Sequence, residues 1–153
     1  MKGKKIWLLV LVAFLCIGCT SNKEKVMASY DNLNTVMTSN GFNLTDSKSN
    51  YADKDYIINS YLAVKDDITI EFIEYDTEDS AEKILKNHID SFNLLKSTGA
   101  SEKKENGKNY HKYILISNNQ YMTSVRVNNT LMFCKTPLTN KDIVIKVFDD
   151  LGY

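Results

Sequence analysis

Three cysteines and two histidines are the side chains of this sequence whose chemistry could support a redox, metal or nucleophilic site. Cys16 and Cys19 form a Cys-x-x-Cys pattern, which occurs in thiol–disulfide centres and as half of a zinc site. A thioredoxin-type pair lies beside a βαβ pattern, and a zinc ribbon needs a second pair of ligands. Here the pair lies in an apolar run, and the only other cysteine is Cys134. The setting therefore favours neither kind of centre.

The residues before Cys19 have the composition of an export signal. Three lysines within the first five residues precede an unbroken apolar run over residues 6–15. A basic start followed by about 7 to 15 apolar residues is typical of a secretory signal peptide. The run is too short for a membrane-spanning helix, which needs about 20 apolar residues.

The sequence from Leu15 to Cys19 resembles the processing site of bacterial lipoproteins. In that class a small residue precedes a cysteine that receives a diacylglyceryl group, and signal peptidase II then cleaves before this cysteine. Gly18 matches the small residue and Cys19 the lipidated cysteine, while Cys16 stands where the class usually has leucine. The resemblance implies lipid attachment at Cys19 and cleavage between Gly18 and Cys19.

This resemblance implies a cellular location for the protein and a division of the chain into three parts. A lipidated cysteine would hold the protein on the extracytoplasmic face of the cell membrane, since two acyl chains anchor stably where one does not. We expect a signal peptide over residues 1–18, the lipidated cysteine with a short linker over residues 19–25, and one α+β domain over residues 26–153. The alternatives are an uncleaved anchor and ordinary signal-peptidase cleavage, although no A-x-A-like site follows the apolar run.

Charge and motif content exclude several functions. Residues 19–153 keep 16 of the 19 Lys and Arg and all 19 Asp and Glu, a net charge of −3. A chain with this small negative charge lacks the excess of basic residues typical of nucleic-acid binding and is not attracted to anionic lipid. The sequence has no glycine-rich phosphate loop, dinucleotide fingerprint, G-x-S-x-G motif or EF-hand loop. We therefore expect no cofactor and no metal.

The body of the chain predicts an α+β fold. Helical spacing of apolar residues predicts a helix over residues 22–39, a second that begins at a cap, Thr77 or Asp79, and a third capped by Thr139. Alternating apolar residues predict strands over residues 55–64, 68–76, 110–117, 121–127 and 130–136, with a weak one over residues 42–48. The charged stretch over residues 100–109 is expected to be a solvated loop.

These elements predict a mostly antiparallel sheet of five or six strands with three helices packed on one side. Tight hairpin turns are expected at Asn118-Asn119 and Asn128-Asn129, because asparagine tolerates positive φ. An α-β-β-β unit used twice, followed by a closing helix, would explain the order of the elements.

Few residues of the body are candidates for function. Cys134 is expected to be a buried, inert strand residue, and His88 lies on the apolar stripe of the second helix. His111 opens a strand. Arg126, the only arginine, is expected to point to the uncovered face of the sheet and is the first choice for a contact.

The sequence favours a non-enzymatic binding or scaffolding module for a protein or envelope partner. The alternative is a small envelope hydrolase or thiol enzyme that uses Cys134 with a histidine.

Overall fold

The computed structural model describes residues 23–153, so Cys16, Gly18 and Cys19 lie outside the described residues. Within residues 23–153, seven strands form one sheet. They are β1 (Asn43–Asp46), β2 (Ile57–Lys65), β3 (Ile68–Tyr75), β4 (Ser101–Asn106), β5 (Tyr110–Ser117), β6 (Gln120–Val127) and β7 (Thr130–Pro137). The helices are α1 (Tyr30–Ser39), α2 (Glu78–Asn93) and α3 (Lys141–Asp150), with 3₁₀ turns at Lys48–Tyr51 and Leu138–Asn140.

The sheet consists of two meanders that meet in its interior. Its strand order is β1-β2-β3-β7-β6-β5-β4, and each neighbouring pair is antiparallel. The predicted hairpin joints are confirmed, since Asn118, Asn119 and Asn128 have φ values of 51°, 59° and 49°. Left-handed backbone at such positions matches the twist of the flanking strands. The α+β class and the antiparallel sheet are therefore as predicted.

The prediction of five or six strands is wrong because the stretch expected to be a solvated loop contains β4. This strand pairs with β5 from Ser101↔Ile116 to Asn106↔His111. It lies at the edge of the sheet, and nearly all of its residues are exposed. Lysines on an edge strand discourage pairing with another chain. The charged composition that suggested a loop is thus typical of a protected edge.

The helices lie on both faces of the sheet, and the prediction that all three pack on one side is wrong. On the first face, α1 and α3 pack with residues of β3 and β7 that include Phe72 and Cys134. On the second face, α2 packs with the strand residues whose side chains point the other way, such as Ile73 and Leu131. The inner strands are buried on both faces, as the continuous burial of residues 121–125 shows. Such strands do not alternate cleanly between apolar and polar residues.

The helix starts differ from the prediction in two places. α1 begins at Tyr30, where the amide of Asn32 donates to the capping Ser29 Oγ at 3.3 Å. The cap of α3 is Asn140 rather than Thr139, and its side chain makes no capping hydrogen bond. Of the two candidate caps for α2 the structure selects Thr77, whose Oγ1 accepts from the amide of Ser80 at 3.1 Å. Within residues 23–153, no helix is both long and apolar enough to cross a membrane.

His88 couples α2 to the second face of the sheet. Its Nδ1 shares a 3.0 Å hydrogen bond with Oγ of Ser124, a fully buried residue of β6. The imidazole also packs on the Phe133 ring, with 4.5 Å between the ring centroids. Burial lowers the pKa of His88 to about 4 from its ordinary value of 6.5, because the charged form is poorly solvated there. The folded protein therefore holds His88 neutral.

This burial predicts a pH-dependent loss of stability. Between pH 6.5 and 4 the unfolded chain binds a proton at His88 that the folded chain does not, so the free energy of unfolding falls as the pH falls. The stability contribution is fully present above pH 6.5. Its loss should have a slope of at most about 1.4 kcal/mol per pH unit, and a total of roughly 2–3 kcal/mol.

Urea unfolding at a series of pH values, followed by circular dichroism, measures this loss. The matched variant is His88→Asn, because asparagine keeps a polar atom near the position of Nδ1 and does not titrate in this range. The stability difference between the wild type and the variant should shrink as the pH falls. Parallel pH profiles for the two proteins would exclude His88 as the source.

Candidate functional site

The segment before α1 is bound to the turn between β4 and β5. The amide of Lys25 donates to Asn109 Oδ1 at 2.9 Å, and Asn109 Nδ2 donates back to the carbonyl of Lys25 at 2.8 Å. The amide of Lys108 donates to the carbonyl of Lys23 at 3.2 Å. A single asparagine side chain therefore satisfies both backbone groups of Lys25, as a neighbouring strand would.

Side chains reinforce this attachment. Nζ of Lys25 donates to the carbonyl of Gly152 at 2.7 Å and lies 5.0 Å from the centroid of the Tyr110 ring. Burial, followed by the nearby charge of Lys112, lowers the pKa of Lys25. Residues 23–25, which the sequence analysis assigned to the linker, are thus held against the domain.

Gly107 permits the close approach of this segment. A Cβ atom at this position would lie 2.6 Å from the carbonyl oxygen of Lys23 and would overlap the ring of Tyr110. Both the ring and the backbone carbonyl would have to move to admit a side chain. Glycine is therefore required here for lack of space.

A small cleft of about 270 Å³ lies beside this attachment, between the first turns of α2 and the strands below it. Arg126 crosses its floor: Nε donates to Glu82 Oε2 at 2.8 Å, and Nη1 donates to the carbonyl of Asn128 at 2.9 Å. The same Nη1 lies 3.8 Å from Glu78 Oε2. His111 Nδ1 lies 3.5 Å from the other oxygen of Glu82. The guanidinium of Arg126 is therefore engaged by two carboxylates of α2.

The position of Arg126 corrects its predicted orientation. Arg126 was predicted to point to an uncovered face, but it points to the second face, which α2 covers. Its side chain is only 14% exposed and is held by Glu82, Glu78 and Asn128. Arg126 therefore positions α2 on the sheet.

The structure separates Cys134 from both histidines. Cys134 is fully buried on the first face, among the side chains beneath α1 and α3. His88 and His111 lie on the second face, where they contact Ser124 and Glu82. Burial raises the pKa of the Cys134 thiol to about 12. A thiolate activated by a neighbouring histidine is not formed in this arrangement.

The described residues offer little else for chemistry. Within residues 23–153, no group of three or more His, Cys, Asp or Glu side chains is placed to hold a metal ion. Gly107 and Asn109 were not among the predicted site residues, because their stretch has the composition of a solvated loop. The Asn-Gly pair at residues 106–107 is a turn signal, but nothing local shows that Lys25 binds there.

Comparisons with protein-family models and with curated proteins find no match for this chain. Among solved structures, the crystal structure of a GTP binding regulator from Thermotoga maritima aligns with 82% of this chain and 88% of its own, at 16% identity and a TM-score of 0.48. A likeness at this level carries no conclusion about the present chain.

Cys134 should resist modification in the folded protein. A buried thiol with a raised pKa supplies almost no thiolate at neutral pH. Treatment with a maleimide, followed by peptide mass mapping, should find Cys134 unlabelled without denaturant and labelled in urea. Rapid labelling of the folded protein would contradict the burial described here.

Arg126→Met should lower the free energy of unfolding by about 1–3 kcal/mol, because it removes the guanidinium that pairs with Glu82 in a partly buried site. Replacing Glu82 by glutamine in the same protein should restore part of the loss. Lys83→Met, at an exposed position of the same helix, is the matched control and should stay within about 0.5 kcal/mol of the wild type. Equal losses at both positions in urea unfolding would show that the ion pair contributes nothing.

Proposed function

We propose that this chain is a bacterial lipoprotein, anchored to the extracytoplasmic face of the cell membrane by diacylglyceryl on Cys19. The observation that carries the proposal is the order of residues 2–19: lysines, an apolar run, and then Gly18 before Cys19. The attachment of the chain from Lys23 onward supports it, because a domain that begins a few residues after the anchor suits a lipidated amino terminus.

We further propose a non-enzymatic role, as a binding or scaffolding module for a protein or envelope component. Arg126 in the cleft is engaged by Glu82 and Glu78 of the same protein. The alternative of a hydrolase or thiol enzyme needs Cys134 beside a histidine, and no described contact favours it. With a net charge of −3 after residue 18, nucleic acid is not a suitable partner.

An origin by duplication of an α-β-β-β unit stays a prediction. The sheet order, in which β1-β2-β3 meets β7-β6-β5, is what two related meanders would give. However, α1, which opens the first unit, lies on the first face, whereas α2, which opens the second unit, lies on the second face. Four strands rather than three follow α2. A rotation about an axis perpendicular to the sheet would leave both helices on one face, so a duplication would also need one helix to have moved.

Lipidation can be tested by expressing the wild type, Cys19→Ala and Cys16→Ala in a bacterium. The wild type and Cys16→Ala should partition into the detergent phase and carry diacylglyceryl mass on Cys19. Cys19→Ala should lack that mass. If all three proteins keep residues 1–18 and partition alike, the segment is an uncleaved anchor and the proposal is wrong.

A further inference from the structure

We propose that one end of the domain lies against the membrane surface and contacts lipid headgroups. This surface, here called the tether end, consists of residues 23–28, the turn over residues 107–109, Asn128 and the first turn of α2. These elements adjoin one another around a groove lined by Lys25, Val26 and Glu78. The inference rests on the proposed lipidation of Cys19.

The chain between the lipidated cysteine and the domain is short. Four residue steps separate Cys19 from Lys23, which allow a reach of at most about 14 Å. The headgroup layer of one leaflet is itself roughly 5–8 Å thick. A domain held at Lys23 therefore begins at the headgroups or within a few ångströms of them.

The distance between the lipid and the domain is this short because the segment before α1 is attached to the domain. If residues 23–29 were free, the chain from Cys19 to the start of α1 would extend to at most about 40 Å, and the domain could turn in any direction. Instead Asn109 holds both backbone groups of Lys25, and Lys25 Nζ binds the carbonyl of Gly152. The tether therefore leaves the domain from a fixed point on its surface.

The chemistry of the tether end suits a lipid surface of any headgroup charge. Val26 is 84% exposed, although it is apolar and lies within the segment nearest the anchor. The cations there are already engaged, with Lys108 paired to Glu24 at 2.5 Å and Lys25 bound to Gly152. The tether end as a whole has as many lysines as acidic residues: Lys23, Lys25 and Lys108 against Glu24, Glu78 and Asp79. It therefore offers an apolar side chain on a surface without net charge, and its contact should not depend on anionic lipid.

The opposite end of the domain provides an internal reference. α2 begins at the tether end with Glu78 and ends beside Leu94, which is 87% exposed. From Asp79 to Leu94 the helix rises about 22 Å. If the tether end faces the bilayer, Asp79 lies near the headgroups and Leu94 points away from them.

Fluorescence quenching on lipid vesicles tests this orientation. Asp79→Cys and Leu94→Cys are each labelled with the same thiol-reactive fluorophore in the mature lipidated protein. Cys134 is buried, and diacylglyceryl blocks Cys19, so the introduced cysteine takes the label. The proteins are placed in phosphatidylcholine vesicles that contain a lipid with a nitroxide on its headgroup. The fluorophore on Asp79→Cys should be quenched several-fold more than that on Leu94→Cys.

Release of the segment should remove this difference. Asn109→Ala deletes both hydrogen bonds to Lys25, and the two quenching values should then converge. Asn87→Ala, at an exposed position of α2, is the matched control and should keep the difference. Circular dichroism checks that each variant is folded, and if Asn109→Ala does not fold, the wild-type comparison still decides the proposal.

Three outcomes would overturn the inference. Equal quenching at both positions of the lipidated protein would show that the domain has no fixed orientation, while the lipidation proposal would stand. A difference that depends on the protein-to-lipid ratio would show that the tether end contacts a second copy of the chain. A mature protein without diacylglyceryl mass on Cys19 would overturn the proposed function and this inference together.

Discussion

The pairing of β3 with β7 is the interaction on which the rest of the structure depends, because it joins the two meanders into one sheet. Its register sets Ile70 opposite Cys134 and Ile73 opposite Leu131, so each face of the join presents an apolar surface. α1 and α3 cover one of these surfaces and α2 the other. Apolar burial is worth roughly 25 cal/mol per Å², so a join that is covered on both faces is the main source of cohesion between the halves.

This pairing also decides which chemistry the chain can perform. It fixes Cys134 in the middle of the sheet with its side chain on the first face, whereas the histidines belong to the second face. Because successive strand residues point to opposite faces, a shift of one residue in the register would exchange the two environments. The inertness of Cys134 thus follows from its strand position. The hydrogen bond of His88 likewise serves the packing of α2.

Those features of the fold that depend on local patterns could be predicted from the sequence. Local signals exist for the strands in which apolar residues alternate, and for the asparagine turns at residues 118 and 128. The buried position of Cys134 has a local signal as well. β4 has no such signal, since an edge strand made of charged and polar residues resembles a solvated loop. The side of the sheet on which α2 packs depends on pairings between distant residues. The contact of Lys25 with Asn109, 84 positions apart, is equally invisible to a local pattern.

The attachment of residues 23–28 has a consequence for any partner of the proposed lipoprotein. Backbone that is fixed by Asn109 and packed beside Gly107 cannot extend without breaking several hydrogen bonds at once. Each net hydrogen bond contributes about 0.5–1.5 kcal/mol, so extension would be opposed by a few kcal/mol. A partner that binds near the tether end would compete with the lipid surface. In the proposed orientation the end that carries Leu94 faces away from the bilayer, so a partner would meet no competition from lipid there.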